Sequence, residues 1–403
     1  MKFKKLNILF ISATVPYPAI DGGRLRVLNL VQNLCKDHSV TFLCFTTQSS
    51  DLHGIRYLGN IGIDVIAVSL RKKRISMLLH SIFHNKPITI AKYYSGSMSD
   101  EINRILSSKE FDIIHFEMLH TGQYVEDIQN KGKAKIILDE QNIDSGIWNR
   151  LVKTEPKLIK KILFYWQYRC FMKYESRVCN NFDKCLCVSK EDSKLLSSIS
   201  SNTHIEVIPN GVDPYYYKPY NIKEDETKLV FTGSMDWQPN EDAVVYFCQE
   251  IFPLIRSELP DMKFFIVGSN PTNKVLSLKN IPGVHVTGLV DDVRPYIASA
   301  SIYVVPLRIG GGTRLKILQA LAMKKAVVST SIGCEGIDIE PERDLIISDD
   351  PQDFANKVIV LSKDEESRKK LGENGRLLIL RKYDWKTIVQ KLESIYIDIS
   401  SKE

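Results

Sequence analysis

The feature that most limits the fold of this 403-residue chain is a strand, a glycine turn and a helix in immediate succession. An apolar run over 302–307 predicts a buried strand, three consecutive glycines follow, and apolar residues at helical spacing continue to Ala322. The glycines are Gly310, Gly311 and Gly312. Such a junction is typical of phosphate-binding sites, because glycines let the backbone approach an anion and the helix start presents unpaired N–H groups.

The start of this predicted helix carries positive charge, which is unusual at a helix N-terminus. We expect Thr313 to open the helix, with Arg314 and Lys316 in its first turn. Helix starts favour acidic residues, so two cations at this place indicate an anionic ligand. The alternative is a tight turn whose basic residues are simply solvated. The combination of glycines, threonine, arginine and lysine favours the ligand.

The rest of the chain shows one α/β pattern twice. Short apolar strands alternate with helices, and a polar stretch over 221–228 predicts a linker between the two series. The predicted strands are 6–13, 38–45, 64–68, 112–116, 135–138, 184–188, 228–232, 264–267, 284–288, 302–307 and 326–330. Mainly parallel sheets follow from this alternation, and the length fits two domains, 1–214 and 215–384. We expect two Rossmann-like domains that bind a nucleotide in the cleft between them.

Composition limits the class of protein. With 44% hydrophobic and 25% charged residues, the chain is typical of soluble globular proteins. No apolar run approaches the ~20 residues of a membrane span. The N-terminus imitates a signal peptide, but the prolines and glycines after it and the lack of a cleavage site predict a cytoplasmic protein. The eight cysteines have no metal-ligand spacing, so we expect reduced core residues.

Two further segments each allow two interpretations. Arg71–Arg74 followed by the apolar run 75–83 predicts a surface helix with an ordinary buried face, and docking on anionic lipid is the alternative. The aromatic-rich stretch Leu158–Cys179 predicts a long helix whose aromatic residues pack in the core. A wall of an acceptor groove is the alternative for that helix.

Several short motifs, in their order and spacing, resemble the glycosyltransferases of family 4. The motifs are Pro18-x-x-x-Gly22-Gly23, Val207-Ile-Pro-Asn-Gly-Val-Asp213, Gly233-Ser-Met-Asp-Trp237, Gly288-Leu-Val-Asp-Asp292, the GGGTRLKILQALA run from Gly310, Val328-Ser-Thr330 and Gly333-Cys-Glu-Gly336. The resemblance covers nearly the whole chain. The run from Gly310 is its strongest part.

The resemblance implies the GT-B architecture and a retaining transferase of hexosyltransferase type. The first domain would bind a glycan or lipid-linked acceptor, the second a UDP- or GDP-sugar, and a helix at about 385–400 would cross back to the first domain. It implies no required metal cofactor, which agrees with the lack of an Asp-x-Asp triplet. It implies work at the inner face of the membrane in bacterial surface polysaccharide or lipopolysaccharide synthesis, with no nucleic acid partner.

The resemblance also assigns the donor site. Its predicted donor-binding residues are Gly22, Gly23, Gly233, Gly310, Gly311, Gly312, Thr313 and Gln319. Arg314 and Lys316 would stabilise the leaving diphosphate, taking over from a basic pair that the family often carries where this chain has 234–240. Relatives often carry glutamates where this chain has Gly311 and Gln319. Gln319 still offers an oxygen to a ribose hydroxyl, but without charge.

In the first domain the predicted residues are less specific. Many relatives carry a catalytic histidine after the strand at 112–116, where this chain offers His115, Glu117 and His120. Glu117 lies nearest in spacing, and His120 is the other residue that we expect to face the cleft. Glu140 and Asn142, after the next strand at 135–138, are predicted acceptor contacts. An ordinary polar loop residue is the alternative for each.

Two other functions fit the same architecture. A nucleotide-sugar epimerase would convert the donor without an acceptor. A binding protein that has lost catalysis is indicated by Gln319. A dinucleotide dehydrogenase is disfavoured, because neither glycine loop has the G-x-G-x-x-G spacing.

Overall fold

A computed structural model describes residues 5–19, 21–47, 51–70, 81, 86–200, 203–310 and 312–401. The chain divides into two compact units, Met1–Pro209 with Ile388–Glu403, and Asn210–Thr387. Each unit has its own hydrophobic core. The basic segment Arg71–Arg74 and most of the apolar run after it lie outside the described residues.

The first unit is built on a parallel sheet with the strand order β3-β2-β1-β4-β5-β6-β7. The strands are Asn7–Ser12 (β1), Ser39–Thr46 (β2), Asp64–Ser69 (β3), Ile113–Glu117 (β4), Lys135–Glu140 (β5), Lys184–Cys187 (β6) and Ile205–Val207 (β7). The described helices before β7 are Gly22–Asp37 (α1), Asp51–Asn60 (α2), Ile88–Ala91 (α3), Gly96–Ser108 (α4), Met118–Gly122 (α5), Asp144–Thr154 (α6), Leu158–Cys179 (α7) and Lys190–Ile199 (α8). A 3-10 turn covers Gln123–Asp127.

The central strands of this sheet are buried on both faces, which explains their continuous apolar sequences. Strand β1 pairs with β2 on one side and with β4 on the other, so the direction of winding reverses between β1 and β4. In open parallel sheets such a switch point opens a crevice at the carboxyl ends of the strands. The end of β1 and the end of β4 therefore mark the natural binding site of this unit.

The second unit repeats this design with the order β10-β9-β8-β11-β12-β13. The strands are Asp225–Thr232 (β8), Lys263–Val267 (β9), Val284–Gly288 (β10), Ala300–Val305 (β11), Ala326–Ser329 (β12) and Ile346–Ile347 (β13). The described helices are Gln238–Tyr246 (α9), Phe252–Glu258 (α10), Asn273–Ser277 (α11), Arg294–Ser299 (α12), Leu315–Ala322 (α13), Pro351–Lys363 (α14), Glu365–Leu378 (α15) and Trp385–Ser401 (α16). Single turns of π-helix follow α9 and α15, at Phe247–Ile251 and Ile379–Tyr383. Its switch point lies between β8 and β11.

The predicted α/β class and parallel sheets are confirmed, and several local predictions were wrong. Strand β8 begins at Asp225, inside the predicted linker, because strand pairing with β11 extends to that residue. Helix α13 begins at Leu315 rather than Thr313, and Arg314 is its N-cap residue. Strand β13 was not predicted, since two isoleucines among polar residues give no periodic signal.

The last helix, α16, belongs to the first unit from Ile388 onward. The hydroxyl of Tyr396 lies 2.6 Å from Nδ1 of His115, a residue of β4, and both side chains are fully buried. On its other side, His115 lies near the buried carboxylate of Asp139, with Nε2 3.7 Å from a carboxylate oxygen. Asp139 in turn accepts two 2.9 Å hydrogen bonds from Arg26. Arg26 also donates to the carbonyl of Ile208 at 3.0 Å. This polar network ties the end of the chain to the centre of the first sheet.

Within the described ranges, no helix combines the length and the apolarity that crossing a bilayer requires.

Candidate functional site

The switch point of the second sheet holds a lysine with neutral partners. Nζ of Lys316 donates to the Asn240 side-chain oxygen at 2.7 Å and lies 3.8 Å from the ring centroid of Phe231. Burial, and then the charge of Arg314, lower the pKa of Lys316 well below its ordinary value. In the described part of the chain no carboxylate pairs with Lys316. A cation held in this way attracts an anion that can replace the missing solvation.

Two glycines bring the backbone close to this lysine. A Cβ on Gly233 would lie 2.7 Å from the Asn240 amide nitrogen and 2.9 Å from Nζ of Lys316. A Cβ on Gly268 would lie 1.8 Å from the carbonyl oxygen of Gly233. The loops after β8 and β9 therefore come very close at these two glycines, and the Lys316 ammonium sits against the Gly233 backbone.

Arg314 has more partners than Lys316. Its guanidinium donates to the Gly312 carbonyl, and it contacts the Ile332 carbonyl at 3.5 Å and a Glu335 carboxylate oxygen at 4.0 Å. A Cβ on Gly310 would lie 2.6 Å from a terminal nitrogen of Arg314. The arginine is thus folded over the glycine turn, where it holds the turn together.

The remaining donor-loop residues lie on the same turn and helix. Gly312 has a φ of 72°, a left-handed conformation that favours glycine. The Thr313 hydroxyl oxygen is buried without a hydrogen-bond partner among the described residues. Gln319 follows Lys316 by three residues on α13 and is only partly exposed. Gly311 lies outside the described residues. Thr313 is an unsatisfied polar group of the kind that a bound ligand commonly completes.

At the switch point of the first sheet lies a carboxyl group. Glu117, the last residue of β4, accepts a hydrogen bond from the Ser12 hydroxyl at 2.8 Å and from the Gln141 amide at 2.9 Å. Burial raises the pKa of the Glu117 carboxyl to about 7. The three side chains come from the ends of β1, β4 and β5, so neighbouring strand ends meet in one polar cluster. We call Ser12, Glu117 and Gln141 the carboxyl cluster.

The backbone around the carboxyl cluster is held in special conformations. Met118, directly after Glu117, has a φ of 62°, which is uncommon for a residue with a side chain. Residues held in this region cluster at functional sites. Gly23, at the start of α1, approaches the cluster, because a Cβ there would lie 3.3 Å from the Gln141 amide oxygen. Gly22 begins the same helix. The predicted role of both glycines at the donor phosphates stays a prediction.

The two histidines considered with Glu117 lie elsewhere. His115 is fully buried, and its ring stacks on Phe10 with centroids 4.2 Å apart. His120, on α5, packs edge-on against Tyr93, and burial, reinforced by the charge of Lys92, lowers its pKa to about 4. Of the three candidates, only Glu117 ends a strand at the switch point.

The predicted acceptor residues Glu140 and Asn142 have different surroundings. Both carboxylate oxygens of Glu140 are buried without hydrogen-bond partners among the described residues. Burial, then the neighbouring Cys179, Asp144 and Glu175, raise its pKa well above the ordinary value. Asn142 is partly exposed. Glu140 is therefore an interior group, whereas Asn142 reaches the surface of the unit.

Sequence reasoning missed three residues of these sites. Asn240 binds Lys316 across 76 residues of sequence, and Ser12 and Gln141 bind Glu117 across 105 and 24. Gln141 lies between Glu140 and Asn142, the two predicted acceptor contacts. Asn240 ends the loop that replaces the family's usual basic pair. Their positions beside strand ends were the available signal.

The chain matches two family profiles that together cover most of its length. Residues 20–216 match the family described as Glycosyltransferase Family 4, and residues 226–364 match the family described as Glycosyl transferases group 1. The chain is a GT-B glycosyltransferase of the family 4 type.

Relatives and solved structures agree with this family. A 44.6 kDa protein in the cps region of Klebsiella pneumoniae is 25% identical over 396 residues, which cover 96% of this chain and 98% of that protein. A glycosyltransferase of Methanocaldococcus jannaschii is 25% identical over 399 residues, covering 96% and 97%.

Two solved structures share the fold of this glycosyltransferase. Sucrose-phosphate synthase from Thermosynechococcus elongatus has a TM-score of 0.71 at 16% identity, over 99% of this chain and 100% of that one. Anabaena HepE in complex with UDP has a TM-score of 0.67 at 12% identity, over 97% and 99%. The predicted GT-B architecture is thereby confirmed.

Proposed function

We propose that this glycosyltransferase moves a hexosyl group from a UDP- or GDP-sugar to a glycan or glycolipid acceptor, with retention of the anomeric configuration. We assign the donor to Asn210–Thr387 and the acceptor to the other unit. The single observation that carries the proposal is Lys316, a partly buried lysine at the switch point of its sheet whose partners among the described residues are neutral.

The chemistry of transfer explains why such a cation is useful. Breaking the bond between the sugar and the diphosphate leaves negative charge on the departing phosphate oxygens. Fixed donors and charges aimed at that position lower the barrier, because they need no reorganisation as the charge develops. We assign this role to Lys316 and Arg314, with Thr313 and the backbone of Gly233 and Gly312 as further contacts. Cationic side chains then take the place of a metal ion.

Arg314 would exchange partners when the donor binds. Its present partners include the Gly312 and Ile332 carbonyls, which are weaker acceptors than a charged diphosphate. We propose that Gln319 accepts a hydrogen bond from a ribose hydroxyl. Gly310 and Gly311 are proposed to let the turn approach the phosphates.

On the acceptor side we assign the proton-handling role to Glu117. A carboxyl with a pKa of about 7 exchanges protons near neutral pH, which suits a group that receives the proton of an attacking hydroxyl. Asn142 is proposed as an acceptor contact. Gln141 replaces Glu140 in this role, because Gln141 hydrogen-bonds Glu117 while Glu140 is interior.

The comparisons support parts of this proposal. The name of the Klebsiella relative assigns it to a cps region, which supports a role in surface polysaccharide synthesis. Anabaena HepE is described with UDP and with UDP-glucose, which supports a UDP-sugar as the donor. Peripheral association with the inner face of the membrane belongs to the same proposal.

The test is sugar transfer from a panel of UDP- and GDP-sugars to glycan and lipid-linked acceptors, with the anomeric configuration of the product read by NMR. We expect transfer with retention from at least one donor, undiminished by EDTA. The Arg314→Ala/Lys316→Ala double variant should lose activity, while Lys274→Ala, an exposed lysine of the same unit, should keep it.

Three outcomes would contradict the proposal. Wild-type protein that transfers no sugar, or full activity in the double variant, removes the assigned mechanism. Conversion of the donor to its epimer without any acceptor would establish the epimerase instead.

A further inference from the structure

The first half of helix α7 leaves a large apolar surface uncovered. The sequence predicted that the aromatic residues of α7 pack in the core, and this holds only for its second half, where Phe171 and Tyr174 are buried. In the first half Ile159 is 82% exposed and Trp166 is 52% exposed. The exposed residues, which we call the α7 tip, are Leu158, Ile159, Ile162, Leu163, Tyr165 and Trp166.

The exposure of the α7 tip follows from how α7 is held. Trp148 of α6 packs against Phe164 and Phe171, with ring centroids 5.5 and 6.1 Å apart. This contact covers one side of the helix only. Lys160, which points to that same side one turn earlier, is exposed. The first turns of α7 therefore project beyond the body that the rest of the helix packs on.

The charge around the α7 tip has one sign. Between Glu155 and Glu175 the sequence has no acidic residue. The same interval has five basic residues, and all of them are exposed: Lys157, Lys160, Lys161, Arg169 and Lys173. In the described part of the chain no carboxylate pairs with the side-chain cation of any of the five, although the backbone N–H of Lys157 donates to the Glu155 carboxylate at 3.0 Å.

Three of these five basic residues lie at the N-terminal end of the helix, where the helix dipole is itself positive. Lys157 is the N-cap residue, and Lys160 and Lys161 lie in the first turn, where acidic residues are favoured. No side chain caps the helix start. An external anionic surface would compensate both the lysines and the positive end of the helix.

From this arrangement we infer that the α7 tip inserts into the headgroup region of a bilayer that contains anionic phospholipid. Leucine and isoleucine would enter the acyl boundary, tyrosine and tryptophan favour the headgroup level, and lysines meet the lipid phosphates. A second copy of the chain fits the same surface poorly, because its own lysines would repel those of the first. This inference deepens the membrane association that belongs to the proposed function, and vesicle binding tests it separately from sugar transfer.

The placement also connects the membrane to the acceptor side of the same unit. Glu175 of α7 accepts a hydrogen bond at 3.0 Å from the backbone N–H of Ser145, at the start of α6. Asn142 lies just before that helix. A tip seated in lipid would thus hold this unit with the end of β5 at a fixed distance from the membrane surface.

The experiment is co-sedimentation of the full chain with vesicles of phosphatidylcholine, alone or with about one third phosphatidylglycerol. We expect binding to the anionic vesicles and little binding to the neutral ones. Tryptophan fluorescence should shift to the blue on binding, and Trp166→Phe should remove most of that shift.

Two sets of substitutions, both at exposed residues, separate the electrostatic contribution to membrane binding from the apolar one. Lys157→Gln/Lys160→Gln/Lys161→Gln should weaken binding roughly 100-fold, since each basic residue contributes about fivefold at such a surface. Ile159→Ser/Ile162→Ser/Trp166→Ser should also abolish sedimentation with vesicles. Val360→Ser/Leu377→Ser removes equally exposed apolar residues of the other unit and should leave binding unchanged.

Several results would overturn the inference. Absence of binding by wild type, equal binding to neutral and anionic vesicles, or full binding by the lysine and apolar variants would each do so. Light scattering tests the alternative that a second copy of the chain covers the α7 tip. If the wild type is a dimer that does not bind vesicles, and the apolar variant is a monomer, the α7 tip serves self-association instead.

Discussion

The two sheets of this glycosyltransferase place opposite chemistry at the same topological position. At the switch point between β8 and β11 the structure gathers cations, with Lys316 held by a neutral amide. At the switch point between β1 and β4 it gathers a carboxyl group, Glu117, with a hydroxyl and an amide. Both sites use the crevice that the fold provides.

The difference shows what the fold decides and what the side chains decide. Parallel strands with a reversal of winding create the crevice in both units. The charge in the crevice then favours one kind of ligand: a partly buried lysine that has no carboxylate partner among the described residues favours an anion. A carboxyl whose pKa is about 7 favours a group that gives up a proton. In the proposed function, a few residues at strand ends thus distinguish the donor site from the acceptor site.

The test with the largest expected effect on sugar transfer removes the side-chain cation of Lys316. Lys316→Ala should lower sugar transfer about 100- to 1000-fold, as the loss of one fixed donor to a developing negative charge commonly does. Arg314→Ala should cost less, about tenfold, because this arginine is already bound to backbone carbonyls. Turnover measured at saturating donor decides, with Lys274→Ala as the control. A Lys316→Ala enzyme within about twofold of wild type would break the comparison.

The second test concerns stability and pH in the carboxyl cluster. The pKa of Glu117 is raised from its ordinary 4.5 to about 7, so the folded protein holds a proton that the unfolded chain releases. Wild-type protein therefore loses stability as the pH rises from 4.5 to about 7. Glu117→Gln should escape this loss and gain on the order of 3 kcal/mol relative to wild type between about pH 5 and 8.

Urea unfolding across this pH range measures the effect. Ser12→Ala is the matched control, since it removes one hydrogen bond to Glu117 but keeps its titration. A difference between Glu117→Gln and wild type that stays constant with pH would contradict the assignment of a raised pKa to Glu117.

The third test concerns Lys316, whose pKa is shifted downward, whereas that of Glu117 is shifted upward. Burial lowers the pKa of Lys316, and a bound diphosphate should raise that pKa again, so binding at a pH between the free and bound pKa values should be accompanied by proton uptake. UDP affinity should then fall as the pH rises above the pKa of free Lys316, by up to about tenfold per pH unit. Calorimetry in buffers of different ionisation enthalpy measures the uptake. Lys316→Arg, which stays charged, should show none; equal uptake in both proteins would assign the proton to another group.

The smallest expected effect concerns Gln319. Gln319→Ala should raise the KM for the donor about fivefold, the usual value of one neutral hydrogen bond. Gln319→Glu should give no gain in turnover, because a new carboxylate on α13 would compete with the phosphates for Lys316. Steady-state kinetics of the two variants tests both statements. A large gain in Gln319→Glu would show instead that the donor site is degraded.

Much of the fold could be predicted from the sequence, but the contacts within the two sites could be predicted less well. Buried parallel strands leave continuous apolar runs, so β1 and β11 were visible in the sequence. Contacts such as that of Lys316 with Asn240 depend on which strand ends become neighbours, and no local pattern records this. The exposed start of α7 was misjudged for a related reason: apolar residues at helical spacing show that a helix forms, but not whether anything covers it.

The burial of Tyr396 against His115 has a consequence for how the protein is made. These residues are 281 positions apart, and the packing around the first sheet is complete only when both are present. A ribosome releases Met1–Pro209 long before Ile388–Glu403. Until then the imidazole of His115 lacks its Tyr396 partner, while the second unit already has its whole sequence for folding. The unit that is synthesised first is therefore the last to be finished.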